Sequence, residues 1–172
     1  MLRIIQSLYS NVKSCIKYYG FLSDYYDNRI GLFQGEILSP ILYSLYVNDI
    51  EMRFIRENCP SVEISLISMF LIMYADDTVL IAESPHSLQS MLDALYKYNT
   101  EWKLNLNTIK TKIMIFRNGG KQHDDEKWYY NNIEIEVVDE FNYLGMLFIY
   151  NGKFLKTQKH VANQGRKAFF AT

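Results

Sequence analysis

The chain has 172 residues, a formal net charge of −1, 49% hydrophobic residues and 15% aromatic residues. This length and composition fit one globular domain with a buried core and exclude disorder along the whole chain. The longest apolar run, residues 64–73, is too short to span a bilayer. The N-terminus carries no signal-peptide pattern, so we expect an intracellular protein of the nucleus or cytoplasm, neither secreted nor bound to a membrane.

Hydrophobic periodicity predicts the elements of the first half of the chain. Apolar residues at helical spacing predict a helix over 2–14, and strands follow near 14–19 and 25–31. The Ser-Pro pair at 39–40 is typical of a helix N-cap followed by the first helical position. The apolar stripe behind that pair extends the predicted helix through Met52.

The second half predicts short strands around one long helix. A β-hairpin is expected over 63–82, and a helix that begins at 84–87 carries one apolar stripe as far as Trp102. The remaining predicted strands lie at 112–116, 128–130, 133–138 and 142–149, and the last twenty residues read as a helix. Together these elements predict an α+β fold with a small antiparallel sheet backed by helices.

Basic residues are unevenly distributed despite the near-neutral net charge. Segments 97–121 and 151–172 are rich in lysine and arginine, whereas acids concentrate at 124–140. A basic face for nucleic acid and an ordinary solvated surface both explain this distribution. Cys15 and Cys59 form neither a disulfide framework nor a metal-ligand spacing.

The segment Tyr74-Ala75-Asp76-Asp77 lies between two apolar runs and predicts a hairpin with two carboxylates at its tip. Adjacent carboxylates repel, and a divalent cation reverses that repulsion. Hard oxygen ligands suit magnesium or manganese. Two solvated turn residues are the alternative interpretation of the same pattern.

A second candidate segment is Gln34-Gly35, which precedes the helix predicted from 39–40. Glycine allows a ligand to approach the backbone closely, and a helix N-terminus offers unpaired N–H groups. The glutamine amide can bond a base or sugar edge. An ordinary junction between a loop and a helix is the alternative.

Five ordered segments of the chain resemble reverse transcriptases, and most closely those of non-LTR (LINE-type) retrotransposons. They are GLFQGEILSPILYSLYVNDI at 31–50, MYADDTVLIAES at 73–84, SLQSMLDALYKYNTEWKLNLNTIKTKIMIF at 87–116, FNYLG at 141–145 and the linker-like residues 152–168. Viral RNA-dependent RNA polymerases usually carry Gly-Asp-Asp in place of Ala-Asp-Asp. Group II intron reverse transcriptases share Ala-Asp-Asp, but the 112–116 and FNYLG segments are more similar to the LINE type.

The resemblance implies an incomplete right-hand polymerase palm over residues 1–150 and the start of the thumb or connection over 151–172. The implied enzyme is an RNA-directed DNA polymerase that uses an RNA template, a DNA primer, deoxynucleotide triphosphates and two Mg²⁺ or Mn²⁺ ions in the full-length parent. The family's upstream catalytic aspartate block has no match in the sequence, so we expect the isolated chain to be inactive. The alternative is a retroelement remnant that folds, catalyses nothing and at most binds nucleic acid weakly.

The resemblance also implies roles for individual residues. The implied catalytic residues are Asp76, Asp77 and Lys110, of which the two aspartates are also the metal ligands. The implied nucleotide and template pocket is formed by Gln34, Gly35, Tyr74 and Ala75. The implied primer grip is formed by Tyr143, Leu144 and Gly145. Lys112 is an alternative to Lys110, and Phe33 and Glu36 depart from the family pattern around Gln34.

Overall fold

The computed structural model describes four parts of the chain, namely residues 2–28, 31–33, 35–117 and 126–170. Contacts divide the chain into two compact units, Met1–Val47 and Asn48–Thr172. Helices and antiparallel strand pairs occur together in the element order, so the predicted α+β class is confirmed. No helix in the described parts of the chain is long and apolar enough to cross a membrane.

The first unit begins with helix α1, Leu2–Tyr9, which is shorter than the predicted helix over 2–14. The helix ends early because Asn11 adopts a φ of 59°, a left-handed conformation that terminates helices. A ribbon follows, built from β1 (Lys13–Ser14), β2 (Lys17–Tyr18), β3 (Phe21–Leu22) and β4 (Tyr26–Asp27). β1 pairs with β4 and β2 pairs with β3, so two short antiparallel pairs stand where strands were predicted near 14–19 and 25–31. Residues 29–30 of the second predicted strand lie outside the described residues.

Helix α2 spans Leu38–Tyr46, and its start corrects the prediction for the Ser-Pro pair. The N-cap is Ile37, which offers no side-chain hydrogen bond. Ser39 lies inside the first turn, and its hydroxyl donates to the Phe33 carbonyl oxygen at 2.6 Å instead of capping the helix.

The prediction of one helix through Met52 is also wrong, because the structure has two helices in this region. α2 ends at the C-cap Val47, and α3 spans Ile50–Arg56 after the N-cap Asp49. The Asp49 carboxylate accepts a hydrogen bond from the Tyr98 hydroxyl at 2.7 Å. The Asp49 side chain forms no capping hydrogen bond with α3, so its bond with Tyr98 is the contact that accompanies the break.

In the second unit, the hairpin predicted over 63–82 is two successive hairpins. The first joins β5 (Val62–Ile64) to β6 (Ile67–Met69), and the second joins β7 (Leu71–Tyr74) to β8 (Asp77–Leu80). The extra turn forms where Ser65 adopts a φ of 58°. The apolar run at 64–73 therefore extends from the end of β5 through a turn and β6 into β7.

Helix α4, Pro85–Glu101, has the start that its sequence predicts. Ser84 is the N-cap, and its hydroxyl oxygen accepts from the Ser87 N–H at 3.1 Å. Residues from α3, α4, the strands and the segments between them form one core: Ile50, Phe54, Cys59, Phe70, Leu71, Met91, Leu92, Ala94, Leu95, Tyr98, Ile113, Trp128, Tyr130 and Ile135. The Phe54 and Phe70 rings lie 5.8 Å apart, so α3 packs against the segment that leads into β7.

The segment predicted as a strand over 112–116 forms only one isolated parallel bridge, between Ile113 and Val137. The Ile113 N–H donates to the Glu136 carbonyl oxygen at 2.9 Å, and its carbonyl accepts from the Val138 N–H at 2.8 Å. The chain then diverges from Val137, because the Arg117 N–H donates to the Tyr150 carbonyl oxygen at 2.9 Å. A regular ladder is therefore not formed.

The remaining elements are β9 (Trp128–Tyr130), β10 (Ile133–Ile135), β11 (Glu140–Tyr143), β12 (Met146–Ile149) and α5 (Leu155–Phe170). The turn at Asn131-Asn132 and the terminal helix are confirmed. The strand predicted over 142–149 is wrong, because positive φ angles at Leu144 and Gly145 fold it into the β11–β12 hairpin.

The single small sheet expected from the sequence is not observed in the described residues. Strands of two to four residues form six separate two-stranded antiparallel pairs instead. Strands this short leave few backbone groups with which a further strand could pair. Two of the hairpins pack on helices, β9–β10 on α4 and β11–β12 on α5. In the first of these, the buried Trp128 donates its indole N–H to the Pro85 carbonyl oxygen at 2.9 Å.

Candidate active site

The β7–β8 hairpin carries the acidic pair. Its register pairs Tyr74 with Asp77, which leaves Ala75 and Asp76 as a two-residue turn. The prediction that both aspartates lie at the tip of an antiparallel hairpin is therefore confirmed. Asp76 is the second turn residue, and Asp77 is the first residue of β8.

The two faces of this hairpin have different environments. Leu71 is buried, and Met73 and Leu80 pack against the same core. Residues opposite each other in an antiparallel pair project to the same face, so Tyr74 and Asp77 share the other face. Tyr74 is 64% exposed there, so the core holds one side of the hairpin while the carboxylate side is open to solvent.

Both carboxylates are exposed, and neither forms a hydrogen bond or ion pair with another residue that the structure describes. Within the described residues, no group of three or more His, Cys, Asp or Glu side chains comes together. The local chemistry is thus a pair of adjacent, unneutralised oxygen ligands. Such a pair can accept a hard divalent cation, with further oxygen ligands from substrate phosphates or water.

Ala75 places strain at the tip. Its φ of 51° is left-handed, a region that costs a non-glycine residue roughly 1–2 kcal/mol. Such outliers persist only where the surrounding structure over-determines them, and they cluster at functional sites. The packing of Leu71, Met73 and Leu80 on the core supplies that restraint here.

Of the two lysines considered for catalysis, one is already engaged. Lys112 forms an ion pair with Glu136. Lys110 lies in the exposed turn after α4, where its backbone N–H donates to the Asn107 side-chain oxygen at 3.1 Å. No described residue forms an ion pair with the Lys110 ammonium, so Lys110 is the more available of the two cations.

The residues proposed for the primer grip form the tip of the β11–β12 hairpin. Tyr143 pairs with Met146, and Leu144 and Gly145 are the two turn residues, with φ angles of 50° and 80°. Leu144 is 51% exposed. The Tyr143 hydroxyl is buried without a hydrogen-bond partner among the described residues. The structure therefore brings these three residues together at one turn.

In the first unit, two contacts of Tyr9 hold the segment around the candidate pocket. Gln34 lies outside the described residues, and Gly35 adopts a φ of 86°. The Tyr9 hydroxyl donates to the Glu36 carboxylate at 3.0 Å, and the Tyr9 and Phe33 rings stack at 4.7 Å. Tyr9 was not singled out from the sequence, because its position on an apolar helical stripe gives no sign of this role.

A family described as reverse transcriptase (RNA-dependent DNA polymerase) matches residues 4–148. The RNA-directed DNA polymerase from mobile element jockey of Drosophila melanogaster is 28% identical over 58% of this chain and 11% of its own length. Its Drosophila funebris counterpart is 23% identical over 95% of this chain and 17% of its own length. The Pol polyprotein from the type-2 retrotransposable element R2DM of Drosophila melanogaster is 27% identical over 87% of this chain and 15% of its own length.

The chain thus spans between 11% and 17% of the length of these relatives. The matched residues 4–148 include the acidic hairpin, the Lys110 turn and the β11–β12 tip. The resemblance seen in the five sequence segments is confirmed, and the chain belongs to the reverse transcriptase family as a domain of the non-LTR retrotransposon type.

Proposed function

We propose that this chain is the palm part, residues 1–150, and the beginning of the thumb, residues 151–172, of an RNA-directed DNA polymerase. The observation that carries the proposal is the β7–β8 hairpin, which is anchored to the core on one face and presents Asp76 and Asp77 on its open tip. The two jockey relatives are RNA-directed DNA polymerases, which supports the reaction class. Substrates would be an RNA template, a DNA primer and deoxynucleotide triphosphates.

The carboxylate pair fits divalent magnesium or manganese. The exposed oxygens of Asp76 and Asp77 have no competing partner among the described residues, and both metals prefer such hard ligands. When bound, these ions would stabilise charge on the attacking and leaving oxygens. The complete enzyme would hold two of them.

The proposed reaction is nucleotidyl transfer. The primer 3′-hydroxyl attacks the α-phosphate of the incoming nucleotide, a new O–P bond forms, and the bond to the β-phosphate breaks to release pyrophosphate. Positioning these groups can supply roughly 7–11 kcal/mol of the rate enhancement. The rigid support under β7 suits that requirement, because Leu71 and Met73 fix the strand that ends at the tip.

Other residues would orient the substrates. Gln34, Gly35, Tyr74 and Ala75 would line the pocket in which the template base meets the incoming nucleotide. The ammonium of Lys110 would stabilise charge on the leaving pyrophosphate. A further group, Tyr143, Leu144 and Gly145, would hold the primer end.

Primer extension on an RNA template tests this proposal, using the longest translated product that contains these residues. Asp76→Asn keeps the side-chain shape but removes the charge, so extension should fall by at least about a hundredfold. Asp139→Asn changes an exposed carboxylate outside the hairpin and should leave the rate unaltered. Extension that survives Asp76→Asn, or that Asp139→Asn abolishes equally, would refute the assignment.

An inactive remnant is the less favoured candidate. The family match extends over residues 4–148 and the carboxylate pair is intact within it. A product of the complete reading frame that shows no metal-dependent extension would instead favour the remnant.

A further inference from the structure

A cleft of about 410 Å³ lies in the second unit, between the end of α4 and the turn that joins β9 to β10. This volume falls within the range of small-molecule sites in proteins. Four of its lining residues carry the argument: Tyr96, Asn99, Lys103 and Tyr130. We call this feature the α4 cleft.

Two buried polar groups form part of its lining. The Asn99 side-chain N–H donates to the Tyr130 hydroxyl oxygen at 2.9 Å, and both residues are 7% exposed. The Tyr130 O–H and the Asn99 side-chain carbonyl oxygen form no hydrogen bond with another described residue, so both remain available to a ligand. Burial raises the pKa of the Tyr130 phenol, so this group stays protonated near neutral pH. A donor and an acceptor are thus held side by side.

An aromatic wall adjoins this pair. The Tyr96 and Tyr130 rings contact edge to face, with centroids 5.5 Å apart and planes at 86°. The perpendicular arrangement leaves the two ring faces pointing in different directions. An aromatic face beside a fixed donor and acceptor is the combination that recognises a nucleobase, by stacking on its plane and bonding to its edge.

The same cleft is lined by Lys103, whose backbone adopts an unfavourable conformation. Lys103 has a φ of 55° and occupies the position just after α4 that glycine usually fills. The surrounding bonds are those of a helix-ending motif: Leu104 N–H to the Asn99 carbonyl at 2.8 Å and Lys103 N–H to the Thr100 carbonyl at 3.4 Å. No described carboxylate pairs with the Lys103 ammonium, because the adjacent Glu101 pairs with Arg53. Lys103 is therefore available to an anion.

We propose that the α4 cleft binds a nucleoside 5′-monophosphate unit, with the base against Tyr96 and the Asn99–Tyr130 pair and the phosphate at Lys103. The unit is either a free mononucleotide or the phosphorylated end of a single strand, since both present the same base, sugar and phosphate. The site is distinct from the Asp76 hairpin and rests on no part of the polymerase proposal.

Amide NMR spectra of the 172-residue chain, titrated with AMP, test the site. Saturable shifts should appear at residues 96–108 and 130–133. Ribose 5-phosphate and inorganic phosphate should bind at least about tenfold more weakly, because they lack the base. A 5′-phosphorylated oligonucleotide that binds more tightly than AMP would identify a strand end as the source, and equal binding would identify the free nucleotide.

Lys103→Gly separates binding from folding. Glycine suits the left-handed position, so the thermal midpoint should rise, whereas AMP affinity should fall about tenfold through loss of a charge-assisted bond. Tyr130→Phe should also weaken AMP binding, and Lys153→Ala, an exposed lysine outside the cleft, should not. Shifts that map elsewhere, equal binding of ribose 5-phosphate, or unaltered affinity in Lys103→Gly would overturn the proposal.

Discussion

The β7–β8 and β11–β12 hairpins have the same size but carry different chemistry at their tips. Each has two four-residue strands joined by a two-residue turn, and the first turn residue is left-handed in both, with φ angles of 51° at Ala75 and 50° at Leu144. The second turn residue is Asp76 in one hairpin and Gly145, with a φ of 80°, in the other. Asp76 does not share that left-handed conformation, so the two turns agree in length and in their first residue but differ in backbone at the second.

The side chains make the chemical distinction between the two tips. The β7–β8 tip presents two adjacent carboxylates and is anchored by the buried Leu71, whereas the β11–β12 tip presents the half-exposed Leu144 and no charge. Repulsion between adjacent carboxylates favours a cation at the first tip only. A hairpin of one size can therefore serve as a metal ligand set or as an apolar contact, depending on the residues at the turn.

The largest expected difference between the tips is in metal binding. Mn²⁺ should broaden the amide NMR signals around Asp76 and leave those around Leu144 unaffected. Replacing Asp76 and Asp77 together with asparagine should weaken Mn²⁺ binding by about tenfold or more, because both anionic ligands are lost. Asp139→Asn, which lies next to β11, is the matched control and should retain the wild-type affinity. Equal broadening at both tips would remove the distinction.

The anchoring of β7 should appear in the free energy of unfolding. Leu71 is 8% exposed and belongs to the core, so Leu71→Ala should lower that free energy by about 2–5 kcal/mol. Ile72 is the neighbour on the opposite face and is 46% exposed, so Ile72→Ala should cost less than about 1 kcal/mol. Chemical denaturation measures both variants, and similar losses would show that the hairpin is not held from one side.

Elements defined by local signals were predictable. Ser84 caps α4 by accepting a hydrogen bond from the Ser87 N–H, three residues further along the chain. The apolar stripe that follows fixes the buried face of the helix. The acidic tip was predictable for the same reason, since apolar runs flank Asp76 and Asp77 on both sides. Asparagine tolerates left-handed φ angles, so the turn at Asn131 and Asn132 was also predictable from the sequence.

Features set by distant partners were not predictable. The break between α2 and α3 accompanies a hydrogen bond from Tyr98 to Asp49, residues 49 positions apart. The strand expected over 112–116 depends on Val137, with which only Ile113 pairs. The turn at Leu144 was missed because leucine seldom adopts a left-handed angle. Whether the Gln34 segment and the acidic tip act in one pocket stays a prediction.

Glycine and alanine exchanges at the two turns test the left-handed angles of Gly145 and Ala75. Gly145→Ala should lower the free energy of unfolding by roughly 1–2 kcal/mol, because a left-handed angle is unfavourable for alanine although no atom lies within 4 Å of the added Cβ. Ala75→Gly should raise the free energy of unfolding by up to about 1 kcal/mol. Relief of the strain stabilises the folded state, and the greater freedom of glycine in the unfolded chain offsets part of that gain. Thermal unfolding measures both changes. A stability gain in Gly145→Ala or a large loss in Ala75→Gly would contradict the assigned turn conformations.

The smallest effect concerns a carboxylate that, unlike Asp76 and Asp77, already has partners. Glu63 in the β5–β6 hairpin accepts hydrogen bonds from the Ser68 hydroxyl at 2.7 Å and from the Ser61 hydroxyl at 2.8 Å, and these bonds, that of Ser68 first, lower the pKa of Glu63 below its ordinary value of 4.5. A lowered pKa in the folded state stabilises the protein above the ordinary value, and that stabilisation is lost as the pH falls through the folded pKa. Ser68→Ala should therefore raise the Glu63 pKa in a carboxyl-carbon NMR titration, and Ser61→Ala should raise it less. The acid-induced loss of stability below pH 4.5 should shrink in the same order. An unaltered Glu63 pKa in Ser68→Ala would mean that the hydroxyl does not hold the carboxylate in solution.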